Sequence, residues 1–179
     1  MTGIGFCGAG FQQIPKDRIA IRGMTMLTEE IKRELEHCIA EYPIKSRAGI
    51  DAMLILQRHL GWLSNESIRE LAAFLEMTVE ELDSVASFYN HIFRKPVGRH
   101  VIWVCDSVSC WILGYESLLE HLKSRLGIGF GETTADGRFT LLPIQCLGAC
   151  DQAPAMMVDT NLHGDLTPEK LDEILERYT

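Results

Sequence analysis

Two cysteine pairs, each placed just after a short apolar run, constrain this chain more than any other feature. "HVIWVC", residues 100–105, runs straight into the first pair, Cys105-x4-Cys110. "GRFTLLPI", residues 137–144, leads into the second, Cys146-x3-Cys150, with 35 residues between the pairs. Apolar, β-branched runs of this length bounded by Gly and polar residues read as buried strands. Loops that leave a sheet at the same edge bring four sulfurs towards one point. The second loop, "CLGACDQAPA", contains Gly148, Ala149 and Ala153, small residues that let backbone N–H groups approach a sulfur-bound cofactor.

Four chemistries compete for such a set. The N-terminal stretch "MTGIGFCGAGFQQIPKDRIAIRGM" has no basic opening and its apolar residues are broken by Gly and Gln, so it does not read as a signal peptide and the expected compartment is the cytosol. Six cysteines there point away from structural disulfides. A thioredoxin-type redox pair needs C-x-x-C, and neither spacing matches. Four thiolates complete either a closed zinc site or a 2Fe–2S cluster, although an x3 pair is less typical of zinc and the spacing fits neither standard ferredoxin run. Spacing alone does not separate cluster from zinc. None of the six histidines pairs with a cysteine in a Rieske-type arrangement.

Charge and hydropathy exclude other classes. A net charge of −8, from 17 Lys and Arg against 25 Asp and Glu with no basic run, argues against a nucleic-acid partner. No stretch reaches the roughly 20 apolar residues of a membrane span. "GIGFCG", residues 3–8, matches G-x-G-x-x-G literally, but too little chain precedes it for a strand and Pro15 follows, so residues 1–24 read as a tail with Cys7 free. Met24 or Met26 is an alternative start.

From Thr28 the pattern is helical. Thr28 caps a helix with Leu27, Ile31, Leu35, Ile39 and Tyr42 on one face, and Cys38 near its inward side. Ser46 is expected to open a second helix through Ile50, Leu54, Gln57 and Leu60, stopped by Gly61. Ser64 starts a third over Ile68, Leu71, Ala72 and Leu75. Thr78 and Glu81 form a capping box before Leu82, Val85, Ala86 and Tyr89. Short connections make residues 25–95 a small helical bundle. After "RKPVGRH" the order becomes strand, helix (residues 114–127), strand, strand ("PAMMVD") and a closing helix capped by Thr167 with Pro168 at its first position. Residues 96–179 are therefore expected to form a small sheet against two helices, an α+β chain overall.

"FYNHIFRKPVGRHVIWVCDSVSCWILG" and "DGRFTLLPIQCLGACDQAPAMMVD" closely resemble the thioredoxin-like 2Fe–2S subunit of bacterial respiratory NADH:quinone oxidoreductase, complex I. The resemblance runs from about Ile31 to the C-terminus. It implies a thioredoxin-like fold without the catalytic dithiol, with one 2Fe–2S cluster on Cys105, Cys110, Cys146 and Cys150. It also implies a partner flavoprotein that carries NADH and FMN, against which the helical part packs, and further iron–sulfur subunits of a peripheral arm. The cluster exchanges electrons with the flavin off the main route to quinone, so this chain assists an ion-translocating dehydrogenase and holds no catalytic residue of its own. Its expected place is the cytoplasmic face of the inner membrane, without insertion. The equivalent subunit of an NAD-linked hydrogenase or formate dehydrogenase, and a zinc-stabilised interaction domain, are the rival readings.

Several neighbours bear on that chemistry. Asp106 and Asp151 each follow a cysteine, and carboxylates disfavour adding an electron to a cluster, so a low potential is expected. Trp111, Ile112 and Leu113 are expected to be helix-packing core more than cluster shield or partner contact. Pro154 sits where thioredoxin-like folds carry a cis-proline. His91 and His100 flank the linker without a role.

Overall fold

The computed structural model describes residues 26–178. Cys7, the Gly-rich hexapeptide and Met24 lie outside the described residues. The chain divides between Pro96 and Val97 into two units, which together hold seven α-helices and four strands among the described residues.

The first unit is helical. Helix α1 (Glu29–Ile39) opens on Thr28, whose Oγ1 accepts the Ile31 N–H, with Glu29 and Glu30 in its first turn where the helix dipole favours them. Its buried side chains are Ile31, Leu35 and Cys38, while Ile39 and Tyr42 are only partly covered. The next helix starts later than expected. A 3-10 turn over Lys45–Ala48 holds Ser46, and α2 (Gly49–Leu60) follows, closed by Gly61 at φ 81°.

The inward face of α2 also differs. Ala52, Met53, Ile55 and Leu56 are fully buried, whereas Ile50, Leu54 and Leu60 are half-covered. The reason is packing: α2 contacts α1, α3 (Asn65–Leu75) and α4 (Val79–Phe88), so its buried arc is broader than a single stripe. Buried Gln57 is satisfied on both ends of its amide, donating to the His91 carbonyl at 2.8 Å and accepting from Phe93 N–H at 2.6 Å. Buried Asp51 accepts from the Tyr42 hydroxyl.

Helix α3 is capped by Ser64 and buries Ile68, Leu71, Ala72 and Leu75 as its period requires. The Thr78–Glu81 capping box is complete on α4, which buries Leu82 and Ala86. Tyr89, expected inward, is exposed, because α4 ends at Phe88 and the extended backbone of Tyr89 turns it off the helical stripe.

The second unit carries the sheet, in the order β2-β1-β3-β4: β1 is His100–Cys105, β2 Phe139–Ile144, β3 Met156–Val158 and β4 Asn161–His163. Strands β1 and β2 are parallel, and β3 runs antiparallel to both β1 and β4. The sequence reading missed β4, a three-residue strand, mostly polar and mostly exposed, with no periodic signal. Ile102, Val104, Phe139, Leu141, Met156 and Val158 form one face and share a core with Leu118 and Leu122 of α6 (Tyr115–Leu126) and Leu171, Ile174 and Leu175 of α7 (Pro168–Arg177). A truncation such as Leu171→Ala in this core costs about 2–5 kcal/mol.

At the start of β1, the Asp159 carboxylate accepts the Val101 N–H at 2.9 Å and pairs with His100 Nδ1 at 2.7 Å. That ties His100 to the β3–β4 turn, at the end of the sheet opposite the cysteines.

Candidate metal centre

The parallel register decides where the cysteines go. Cys105, the last residue of β1, stands opposite Ile144, the last residue of β2. Both chains therefore leave the sheet side by side, at the carboxyl end of the parallel pair, where open α/β sheets place their ligands. The β1 chain turns through Asp106 and Ser107 into the single-turn helix α5 (Val108–Ile112), which holds Cys110. The β2 chain continues through Gln145 to Cys146, and Cys150 opens a 3-10 turn over Cys150–Gln152.

A third loop closes the same edge. The Ala153–Pro154 peptide is cis, and it leads into β3 beside β1. The Cys105 N–H bonds the Ala155 carbonyl at 3.2 Å and the Asp106 N–H bonds the Ile144 carbonyl at 3.0 Å, so all three loops are tied together at their roots.

Two of the four thiols are brought together. Cys105 and Cys110 are 3% and 2% exposed and share an apolar pocket with buried Ala149 and Ala155, bordered by Tyr115, Ile144, Leu147 and Ala153. Burial pushes the Cys105 thiol up, but hydrogen bonds from the Ser107 hydroxyl and N–H, the Leu147 N–H and the Cys110 thiol outweigh it, so its pKa falls below the ordinary value. Cys110 shifts the other way. Burial raises it and the bonded Cys105 adds to that, against the Ala155 N–H and the Ser107 hydroxyl.

Cys146 and Cys150 are exposed on the adjoining loop, where the Gly148 N–H donates to Cys146 Sγ at 3.3 Å and Gly148 takes a φ of 73° that suits glycine. Among the described residues, no three His, Cys, Asp or Glu side chains converge tightly enough to hold a single metal ion. A mononuclear zinc site requires all four sulfurs around one ion, whereas a 2Fe–2S cluster spreads them over two irons. A buried pair packed against Leu147 and Ala149 of the small-residue loop that carries the second pair fits the cluster's donor set.

Sequence reasoning missed the donors around the sulfurs. Ser107 Oγ lies 3.4 Å from Cys105 Sγ, and the Leu147 and Ala155 amides become sulfur donors only through tertiary placement. It also misplaced the residues after Cys110. Trp111, Ile112 and Leu113, expected to pack as core, are 56%, 69% and 55% exposed, and Val108 is exposed with them. The physical reason is the break at Gly114, whose φ of 105° ends α5 and starts α6 on a new axis, so the three do not continue the buried stripe of Leu118 and Leu122. Of the two carboxylates, Asp106 is half-buried and Asp151 exposed.

Comparison with known proteins agrees with this geometry. The family model for thioredoxin-like [2Fe-2S] ferredoxins matches residues 35–179. One component of the NADH-quinone oxidoreductase of Pseudomonas aeruginosa is 45% identical over 86% of this chain and 92% of its own length. The component of the same name from Escherichia coli K12 is 46% identical over 82% of this chain and 89% of its own. Among solved structures, an NAD+-reducing [NiFe]-hydrogenase in the H2-reduced state superposes on 73% of this chain with a TM-score of 0.62 and 27% identity, and this chain spans 22% of that one. The chain belongs to the thioredoxin-like [2Fe-2S] ferredoxin family.

Proposed function

We propose that this chain is an electron-transfer subunit of an NADH–quinone oxidoreductase, holding one 2Fe–2S cluster on Cys105, Cys110, Cys146 and Cys150. The observation that carries the reading is the register of Cys105 against Ile144, which sends both cysteine loops off the same sheet edge. The near-full-length similarity to the Pseudomonas and Escherichia components supports the choice of complex.

A bound 2Fe–2S cluster supplies reversible one-electron storage. The chain's residues do the rest. The four thiolates would hold it, the Gly148 N–H donates to Cys146 Sγ, the Leu147 and Ala155 amides lie by the buried sulfurs, and Ala149, Ala155 and Leu147 limit water at the buried pair.

The partner in this reading is an NADH-binding flavoprotein whose FMN exchanges electrons with the cluster, within an arm of further iron–sulfur subunits. The exposed group Val108, Trp111, Ile112 and Leu113, contiguous with Cys110, is the surface of the second unit assigned to that partner, against which the helical unit also packs in this reading. No helix among the described residues is long and apolar enough to cross a membrane, which suits a peripheral place on the cytoplasmic face reached through the complex.

The test is iron, sulfide and zinc content on anaerobically purified protein, with an EPR spectrum after dithionite reduction. Two irons and two sulfides per chain with a one-electron signal are expected. Stoichiometric zinc, with no cluster after reconstitution, would overturn the reading in favour of a zinc-stabilised domain. The hydrogenase match keeps one variant in view: a co-purifying flavoprotein that travels with nickel, molybdenum or tungsten would move this chain to an NAD-linked hydrogenase or formate dehydrogenase.

A further inference from the structure

We propose that Ser107 is a positioning residue for the redox centre: its hydroxyl donates a hydrogen bond to Cys105 Sγ and thereby raises the potential of the cluster those residues hold. The inference rests on the cluster assignment above.

Ser107 occupies the N-cap position of α5 with extended backbone, the place where a serine side chain ordinarily accepts an amide of the first turn. Thr28, Ser64, Thr78 and Thr167 all do so on their helices. Ser107 does not. It makes no capping bond, and its Oγ sits instead 3.4 Å from Cys105 Sγ. A hydroxyl that forgoes its local partner for a sulfur two residues back is held there by the turn, because β1 delivers Cys105 and α5 must begin at Val108 to carry Cys110.

The direction of the effect follows from protonation. A thiol can donate to Ser107, but a sulfur bound to iron has lost its proton and only accepts, so the hydroxyl must become the donor. Reduction adds negative charge, part of which falls on the ligand sulfurs, and a donor stabilises the reduced state more than the oxidised one. Water does not readily replace the hydroxyl, since Cys105 is 3% exposed. The other donors described at these sulfurs, from Ser107, Leu147, Gly148 and Ala155, are backbone amides, which truncating the Ser107 side chain leaves in place. The turn thus carries opposed influences on consecutive residues: the Asp106 carboxylate disfavours the added electron and the Ser107 hydroxyl favours it.

The experiment is an EPR-monitored redox titration of the full cluster-loaded chain as wild type, Ser107→Ala, Ser107→Gly and Ser107→Thr, with iron and sulfide content measured on each. Glycine is included because it is tolerated at N-caps and keeps α5 intact where alanine disturbs it. In the Ala and Gly variants the reduced-to-oxidised ratio at a fixed poise should fall on the order of tenfold, which for one electron is about 59 mV towards negative. Ser107→Thr, which keeps the hydroxyl, should stay near wild type. Unchanged potentials in the Ala and Gly variants with full clusters would overturn the inference, as would an equal shift in all three, which marks a packing effect. A wild-type chain without iron and sulfide would instead overturn the cluster assignment, and the inference with it.

Discussion

The Gly164 backbone is packed against Gln152: a Cβ added at Gly164 would lie 2.4 Å from Gln152 Cβ and 2.8 Å from its carbonyl oxygen. Directly after that contact, the Asp165 N–H bonds the Gln152 carbonyl and the Leu166 N–H bonds the Pro154 carbonyl. The segment after β4 is therefore a backstop for the turn that carries Cys150, and it lies far along the chain from the β1 cysteines.

Gly164→Ala should consequently destabilise the second unit by about 1–3 kcal/mol, since backbone and not a flexible side-chain end must give way. Urea unfolding followed by tryptophan fluorescence measures the loss. If iron content falls as well, the backstop positions Cys150; a variant as stable as wild type would show that the turn relaxes freely.

Serine at Cys105, Cys110, Cys146 or Cys150 should each lower iron and sulfide per chain and change or abolish the EPR signal. Cys38→Ala is the control. Cys38 is fully buried in the helical core, so this change should cost about 1–2 kcal/mol of stability while leaving iron content intact. Loss of iron in the Cys38 variant alone would contradict the assignment.

Asp106→Asn should raise the cluster potential, because it removes a half-buried negative charge next to Cys105. The exposed Asp151 is screened by water, and Asp151→Asn should move the potential less. A redox titration in which neither variant differs from wild type would refute the charge argument for both.

Trp111→Glu and Ile112→Glu place a charge on an already exposed surface, so thermal unfolding should stay within about 0.5 kcal/mol of wild type. Co-purification of the flavoprotein should fall sharply. Full retention by both variants would remove this group from the proposed interface.

Stability should also fall on mild acidification. Burial lowers the His163 pKa, with Arg177 and Lys170 adding to the shift. A histidine whose folded pKa is depressed contributes stability that is complete above its unfolded value of about 6.5, and loses it as pH falls through that value towards the folded pKa. His163 Nε2 is bonded to the Tyr178 hydroxyl at 3.2 Å, which joins β4 to the end of α7. Urea midpoints at pH 7.5 and 5.5 should differ less in His163→Gln than in wild type; an equal difference would exclude His163 as the source.

How much was legible in the chain depended on how local each signal was. Caps were: Thr28, Ser64, Thr78 and Thr167 all bond the amides three residues ahead, since a cap is a property of a few consecutive residues. The two strands leading to the cysteines were legible from apolar runs, and the cysteine spacing pointed to the four residues proposed here as ligands. The inward face of α2 was not, because it touches three other helices. Nor was the exposure of Trp111, Ile112 and Leu113, which look like core in any hydropathy profile and surface only because Gly114 breaks the helix.

By itself, then, the sequence determined most of the elements, the caps at Thr28, Ser64, Thr78 and Thr167, and the spacing of the two cysteine pairs, all of which follow from side chains acting within a few residues of themselves. Only tertiary structure decided that β1 and β2 pair in parallel with Cys105 opposite Ile144, that Ser107 turns from its cap to a sulfur, and that the Leu147 and Ala155 amides reach the cysteines. Most of those relationships join residues far apart along the chain, and no local pattern records which distant backbone groups a sheet edge will bring together.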